Sequence, residues 1–179
     1  GWRRALNNVS LVLGMIWSRA MYRKVIAEIK EFQPDVIHFH SLMPFLSLSV
    51  LIAAKKKGIP VVQTLHNVRW LCVEGGFYRA GKYCNDCASG IGWQGAVRGC
   101  SRGRFVSTLI FLVNLYARSS RRLFKWVDCF IAVSDYVKKT YVSAGFPSDK
   151  IVVKNNPVEV PINIIPTKYK YRAGIAYAG

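Results

Sequence analysis

Val61-Val62-Gln63-Thr64-Leu65-His66-Asn67 is the stretch that decides the fold. It follows Gly58-Ile59-Pro60, runs apolar and β-branched, and ends on a polar pair. That is the pattern of a buried parallel strand delivering side chains to the carboxyl edge of a sheet. Open α/β sheets bind ligands along that edge. Val36-Ile37-His38-Phe39-His40-Ser41 upstream and Cys129-Phe130-Ile131-Ala132-Val133-Ser134 downstream have the same form. The three strand ends, carrying His40, His66 and Ser134, are predicted to line one crevice.

Outward from this stretch the chain alternates. Residues 2–32 read as one helix, with Tyr22, Val25, Ile26, Ile29 and Phe32 forming an apolar stripe and Pro34 stopping it. Asp35 to Phe39 reads as a strand and Ser47 to Lys57 as a helix with cations in its last turn and Gly58 beyond it. Strand, helix and strand in this order predict a right-handed βαβ unit. The pattern recurs with a long helix over Arg104 to Trp126, a strand over Cys129 to Val133, a helix capped at Ser134-Asp135 and running to Ala144, and a short strand over Ile151 to Val153. The fold class is therefore α/β, a Rossmann-like parallel sheet with flanking helices.

The composition narrows the partners. Of 179 residues, 51% are hydrophobic, ample for a core, and Lys+Arg 26 against Asp+Glu 9 gives a net charge of +17. Such a balance favours anionic partners: phosphate groups, acidic lipid or nucleic acid. The apolar stretch Phe105 to Tyr116 is shorter than the roughly 20 residues a membrane span needs. No signal-peptide layout opens the chain. The expectation is a cytoplasmic protein, and the abrupt start at Gly1 suggests a fragment.

Between the strand ending at Leu65 and the long helix lies Val68 to Gly103, rich in glycine, aromatics and cysteine. A segment this long with no evident core of its own is expected to be functional or held by something other than a core. Cys72, Cys84, Cys87 and Cys100 all fall in it, and Cys84-Asn85-Asp86-Cys87 has the gap that lets two sulfurs reach one tetrahedral ion. Structural zinc, unligated or redox-sensitive thiols, and disulfides are the open alternatives.

His66, at the end of a central strand and followed by Asn67, stands where a parallel sheet places ligand contacts, and its imidazole can donate a hydrogen bond to a sugar hydroxyl or phosphate. His40 follows the same logic. His38 reads as a structural residue on the other strand face. Ser134 reads as an N-cap whose helix start can also receive an anion. The chain contains no phosphate-binding glycine loop and no nucleophile motif. The basic residues Arg98, Arg102, Arg104, Arg118, Arg121 and Arg122 beside Phe105 to Trp126 suit an anionic membrane surface.

Pro34 to His40, Gly58 to Asn67, Phe130 to Ser134 and Lys150-Ile151-Val152-Val153-Lys154-Asn155-Asn156-Pro157 resemble, in order and spacing, the N-terminal domain of family 4 retaining glycosyltransferases of the GT-B type. The cysteine-bearing insertion resembles a subgroup of bacterial polysaccharide and cell-envelope transferases. The resemblance implies transfer from a nucleotide-sugar donor to a lipid-linked or polysaccharide acceptor, with retention and no catalytic metal. It implies His66 as the catalytic contact and His40, Ser41, Asn67, Ser134 and Asn155 as substrate-binding residues. Asn67 stands where many members carry aspartate. The resemblance divides the chain into residues 1–161, a partial N-terminal domain, and 162–179, a linker and first strand of a truncated donor-binding domain. Such a fragment is expected to be inactive alone and the enzyme to sit peripherally at the inner face of the cytoplasmic membrane. The rival expectation is a zinc-stapled basic module for nucleic acid, which the absence of a nucleic-acid motif disfavours.

Overall fold

The computed structural model describes residues 14–40, 42 and 47–157. In chain order the elements are α1 (Arg19–Phe32), β1 (Ile37–Phe39), α2 (Ser49–Lys56), β2 (Val61–Leu65), the hairpin β3 (Tyr78–Arg79) and β4 (Lys82–Tyr83), then α3 (Trp93–Arg98), α4 (Arg104–Arg118), α5 (Arg122–Trp126), β5 (Cys129–Ala132), α6 (Asp135–Ser143) and β6 (Ile151–Val153). Among the described residues β1, β2, β5 and β6 form a parallel sheet in the order β1-β2-β5-β6. The Rossmann-like α/β reading therefore holds, with β2 in an interior position. The segment predicted as the first strand of a second domain, and the linker before it, lie outside the described residues.

β2 is interior to the sheet, and Val61 and Leu65 on one of its faces belong to the core that the helices cover. Val61, Gln63 and Leu65 are buried, as are Phe130 and Ala132 of β5 and Ile151 of β6. Against them pack Leu48, Leu51 and Ala54 from around α2, Ile110, Val113 and Ala117 from α4, and Leu123 from α5. Tyr141 and Phe146 close one end of this core in edge-to-face contact, their ring centroids 4.7 Å apart.

Two predicted helices are broken. The one expected over 2–32 stops after helical residues 14–16, and α1 restarts because Ser18, in extended backbone, accepts a hydrogen bond from Met21 N at 3.3 Å. It ends at Gln33, in left-handed backbone (φ 48°), before Pro34 as expected. The helix expected over Arg104 to Trp126 turns sharply where Ser120 (φ 52°) and Arg121 (φ 54°) are left-handed. Arg122 folds back there, donating to the carbonyls of Tyr116 and Ser119, both at 3.3 Å, and stacking 4.7 Å from the Tyr116 ring centroid. A cation on the last carbonyls of a helix satisfies acceptors that have no partner within it. Apolar periodicity carried no sign of either break.

The insertion also departs from expectation. Val68, Trp70, Leu71, Val73 and Phe77 belong to the main core cluster, so its first third is held by ordinary apolar burial. Asn114 and Arg118 of α4 tie it down further: Asn114 Nδ2 donates to Arg69 O at 2.7 Å, and Arg118 reaches Gly90 O at 3.3 Å. α3 then lies against α4. No helix among the described residues is long and apolar enough to cross a membrane.

Candidate functional site

All four strands of the sheet run the same way, so their carboxyl ends share one edge. His40 follows β1, His66 follows β2, Ser134 follows β5 and Asn155 follows β6. This places four of the predicted contacts along one rim, with His66 beyond an interior strand. Ser41 lies outside the described residues.

Register explains which side chains meet. His38 pairs with Val62, and residues paired in a parallel ladder share a face. Period-2 alternation then brings His38, His40, Thr64 and His66 to the same side. His38 is therefore not on the face opposite His40, as the sequence reading had it; their ring centroids are 4.3 Å apart. The i, i+2 spacing of His38 and His40 was the signal that should have placed them together. His40 Nδ1 and His66 Nε2 are 2.8 Å apart, and His38 Nε2 and Thr64 Oγ1 2.7 Å. Desolvation first, then the charges of His40, Lys154 and His66, hold His38 below the ordinary histidine pKa, although the residue is itself exposed. His40 and His66 are both exposed at the rim.

Asn67 opens the insertion rather than standing free. Its Oδ1 accepts from Arg69 N at 3.1 Å, closing an Asx-type turn, and its carbonyl accepts from Tyr141 Oη at 2.8 Å. Tyr141 is fully buried, and burial raises its phenol far above the usual range, so it acts there as a neutral donor. Sequence reasoning missed this tyrosine, which ties α6 to the turn after His66. Beside the turn is a cavity of about 20 Å³ lined by Gln63, Thr64, His66, Asn67, Arg69 and Tyr141 among others. Gln63 Oε1 is buried without a hydrogen-bond partner at that place. Ser134 caps α6, its Oγ accepting from Val137 N at 3.2 Å. Asn155 is exposed.

The cysteines of the insertion are all free thiols. Among the described residues no group of three cysteine, histidine or carboxylate side chains is drawn together tightly enough to hold a metal ion. Three of the cysteine-bearing stretches nonetheless meet at Gly95. A Cβ on Gly95 would lie 3.4 Å from Cys87 Sγ and 2.8 Å from Cγ2 of Val73, the residue after Cys72. Gly95 O in turn accepts from Cys100 N at 3.1 Å. Burial foremost, and the nearby thiols after it, push Cys87 above the ordinary thiol pKa; burial does the same to Cys100.

The fold and the site thus define a parallel α/β domain with a histidine-bearing rim at the carboxyl ends of its strands. The chain matches Glycosyltransferase Family 4 over residues 4–160 and belongs to that family. No curated protein and no solved structure matches it.

Proposed function

We propose that this chain is the acceptor-side domain of a retaining GT-B enzyme. It works with a nucleotide-sugar donor and transfers the sugar to a lipid-linked or polysaccharide acceptor of the bacterial cell envelope, without a catalytic metal. The observation that carries the reading is His66, exposed beyond an interior strand and fixed by His40, in a chain of family 4. The family match also favours this reading over the nucleic-acid module. Ser134 and Asn155, farther along the rim, serve the same crevice, and Asn67 shapes its wall through the turn it makes. The net charge of +17 supports a place on an anionic membrane surface, the inner face of the cytoplasmic membrane. A structural zinc shared by Cys72, Cys84, Cys87 and Cys100 rests on the two-residue gap between Cys84 and Cys87 and on four thiols in one segment, which the protein without metal does not draw into a site.

The test is His66→Ala in the full-length enzyme, assayed with UDP- and GDP-sugars and a membrane lipid extract. An interaction that strengthens only in the transition state raises turnover. Its loss lowers kcat by roughly 10²- to 10³-fold if His66 acts like one preorganised polar group. The melting temperature stays near that of the unsubstituted enzyme, because His66 is exposed. Normal turnover with lowered thermal stability makes His66 structural.

A further inference from the structure

His40 was expected to touch substrate, but its Nδ1 is occupied by His66 Nε2, 2.8 Å away. The two rings lie 27° from parallel with centroids 5.1 Å apart. A hydrogen bond between two ring nitrogens holds one proton, so one nitrogen donates and the other is bare. Two neutral arrangements satisfy this. In one, both rings carry their proton on Nδ1; in the other, both carry it on Nε2. An unconstrained neutral imidazole prefers the proton on Nε2, so the second arrangement uses the preferred tautomer of both rings. The hydrogen bond made by one nitrogen then fixes the state of the other.

We infer that His40 is a positioning residue which accepts from His66 Nε2–H and so leaves His66 Nδ1 as a bare acceptor. His38 buttresses this arrangement, its ring 4.3 Å from that of His40 and its own Nε2 held by Thr64 Oγ1. The consequence for the proposed transferase, on whose reading this last step rests, reverses the expected role of His66. It accepts a hydrogen bond from a sugar or acceptor hydroxyl instead of donating one. A hydroxyl is the class of ligand group such a nitrogen selects; an anionic phosphate oxygen, which has no proton to give, is not.

The experiment reads the histidine tautomers directly, by long-range 1H–15N correlation on the chain with labelled histidine. His66 shows one tautomer, protonated on Nε2. His40→Asn places an amide oxygen where Nδ1 stands and keeps that signature. His40→Gln, whose amide reaches the Nε2 position, and His40→Phe, which keeps a ring without nitrogen, release His66 to a mixture. Should the phenylalanine variant fail to fold, the asparagine and glutamine pair decides. A His66 protonated on Nδ1, or one whose tautomer is the same in all variants, overturns the inference. In the full-length enzyme, kcat with whichever of UDP-glucose, UDP-galactose, UDP-N-acetylglucosamine or GDP-mannose supports transfer falls roughly 10- to 100-fold in the glutamine variant. KM is unchanged and the asparagine variant restores most of the rate. The expected tautomers with no transfer of any of these sugars overturn the functional reading and leave the His40–His66 bond standing.

Discussion

Asp128 shows how one side chain joins two elements. Its Oδ2 accepts from Val61 N at 2.8 Å and its Oδ1 pairs with Lys55 Nζ at 2.8 Å, so the carboxylate links the start of β2 to the end of α2. Partial burial works to raise its pKa, but the bonds from Lys55 and Val61 outweigh it and hold the carboxyl below the usual range. A depressed folded-state pKa contributes stability that is fully present above the unfolded value, near 3.9, and lost as pH falls through the folded value. The melting temperature of the chain is therefore expected to fall as acid is added below about pH 4, and less steeply in Asp128→Asn. Because the side chain is 39% exposed, solvent screening trims the charge contribution. Asp128→Ala also strips the Val61 N–H of its partner, and Val61 is fully buried. The cost is about 1–3 kcal/mol in urea unfolding; an unchanged unfolding midpoint would show that this bond contributes nothing. None of this was visible in Trp126-Val127-Asp128, since the partners lie 67 and 73 residues away.

Among the elements, strands and helix caps were legible and the insertion was not. β6 spans the predicted Ile151 to Val153, and Ser134 caps α6 as read, because both signals are local: a β-branched run and a hydroxyl before a helical pattern. The breaks at Ser18 and Ser120 depend on competing hydrogen bonds that periodicity does not register. The insertion joins the core through Trp70, Leu71, Val73 and Phe77, a contribution hidden by its glycine-rich composition. The β3-β4 hairpin that follows these residues is exposed and has less apolar support. There the proposed zinc acts. Metal analysis of protein purified without added zinc is expected to find about one equivalent, as a tetrahedral four-thiolate site requires. Thiols raised by burial must lose their protons to bind, so binding releases protons and weakens in acid. Removal of the metal is expected to open the segment around Cys84 and Cys87 to protease while the sheet survives. Metal-free protein with the same protease resistance would end the proposal.

Across the whole molecule, charge and apolar exposure coincide. Trp93 and Val97 on α3 are 52% and 57% exposed one helical turn apart, and Phe105 and Leu112 are also exposed on α4, Phe105 next to Arg104 in the chain. Another side of α4, with Ile110, Val113 and Ala117, is spent on the core, so only the outer residues remain for lipid. Binding to vesicles containing acidic lipid is expected to weaken with salt, each basic residue near the surface contributing about 1 kcal/mol. Trp93→Ser is expected to reduce it further, and co-sedimentation indifferent to acidic lipid would count against a membrane role. The sequence by itself determined the parallel sheet, the polarity of its strands and the rim on which His40, His66, Ser134 and Asn155 stand, because strand pattern and βαβ handedness are local and general. Only the tertiary structure decided that His38, His40 and His66 form one cluster and that the first part of the insertion packs into the core. It also decided that Asn67 is a turn former. Those outcomes rest on strand register and on contacts between residues distant in the chain, where side chains compete for a few hydrogen bonds that no single stretch of sequence contains.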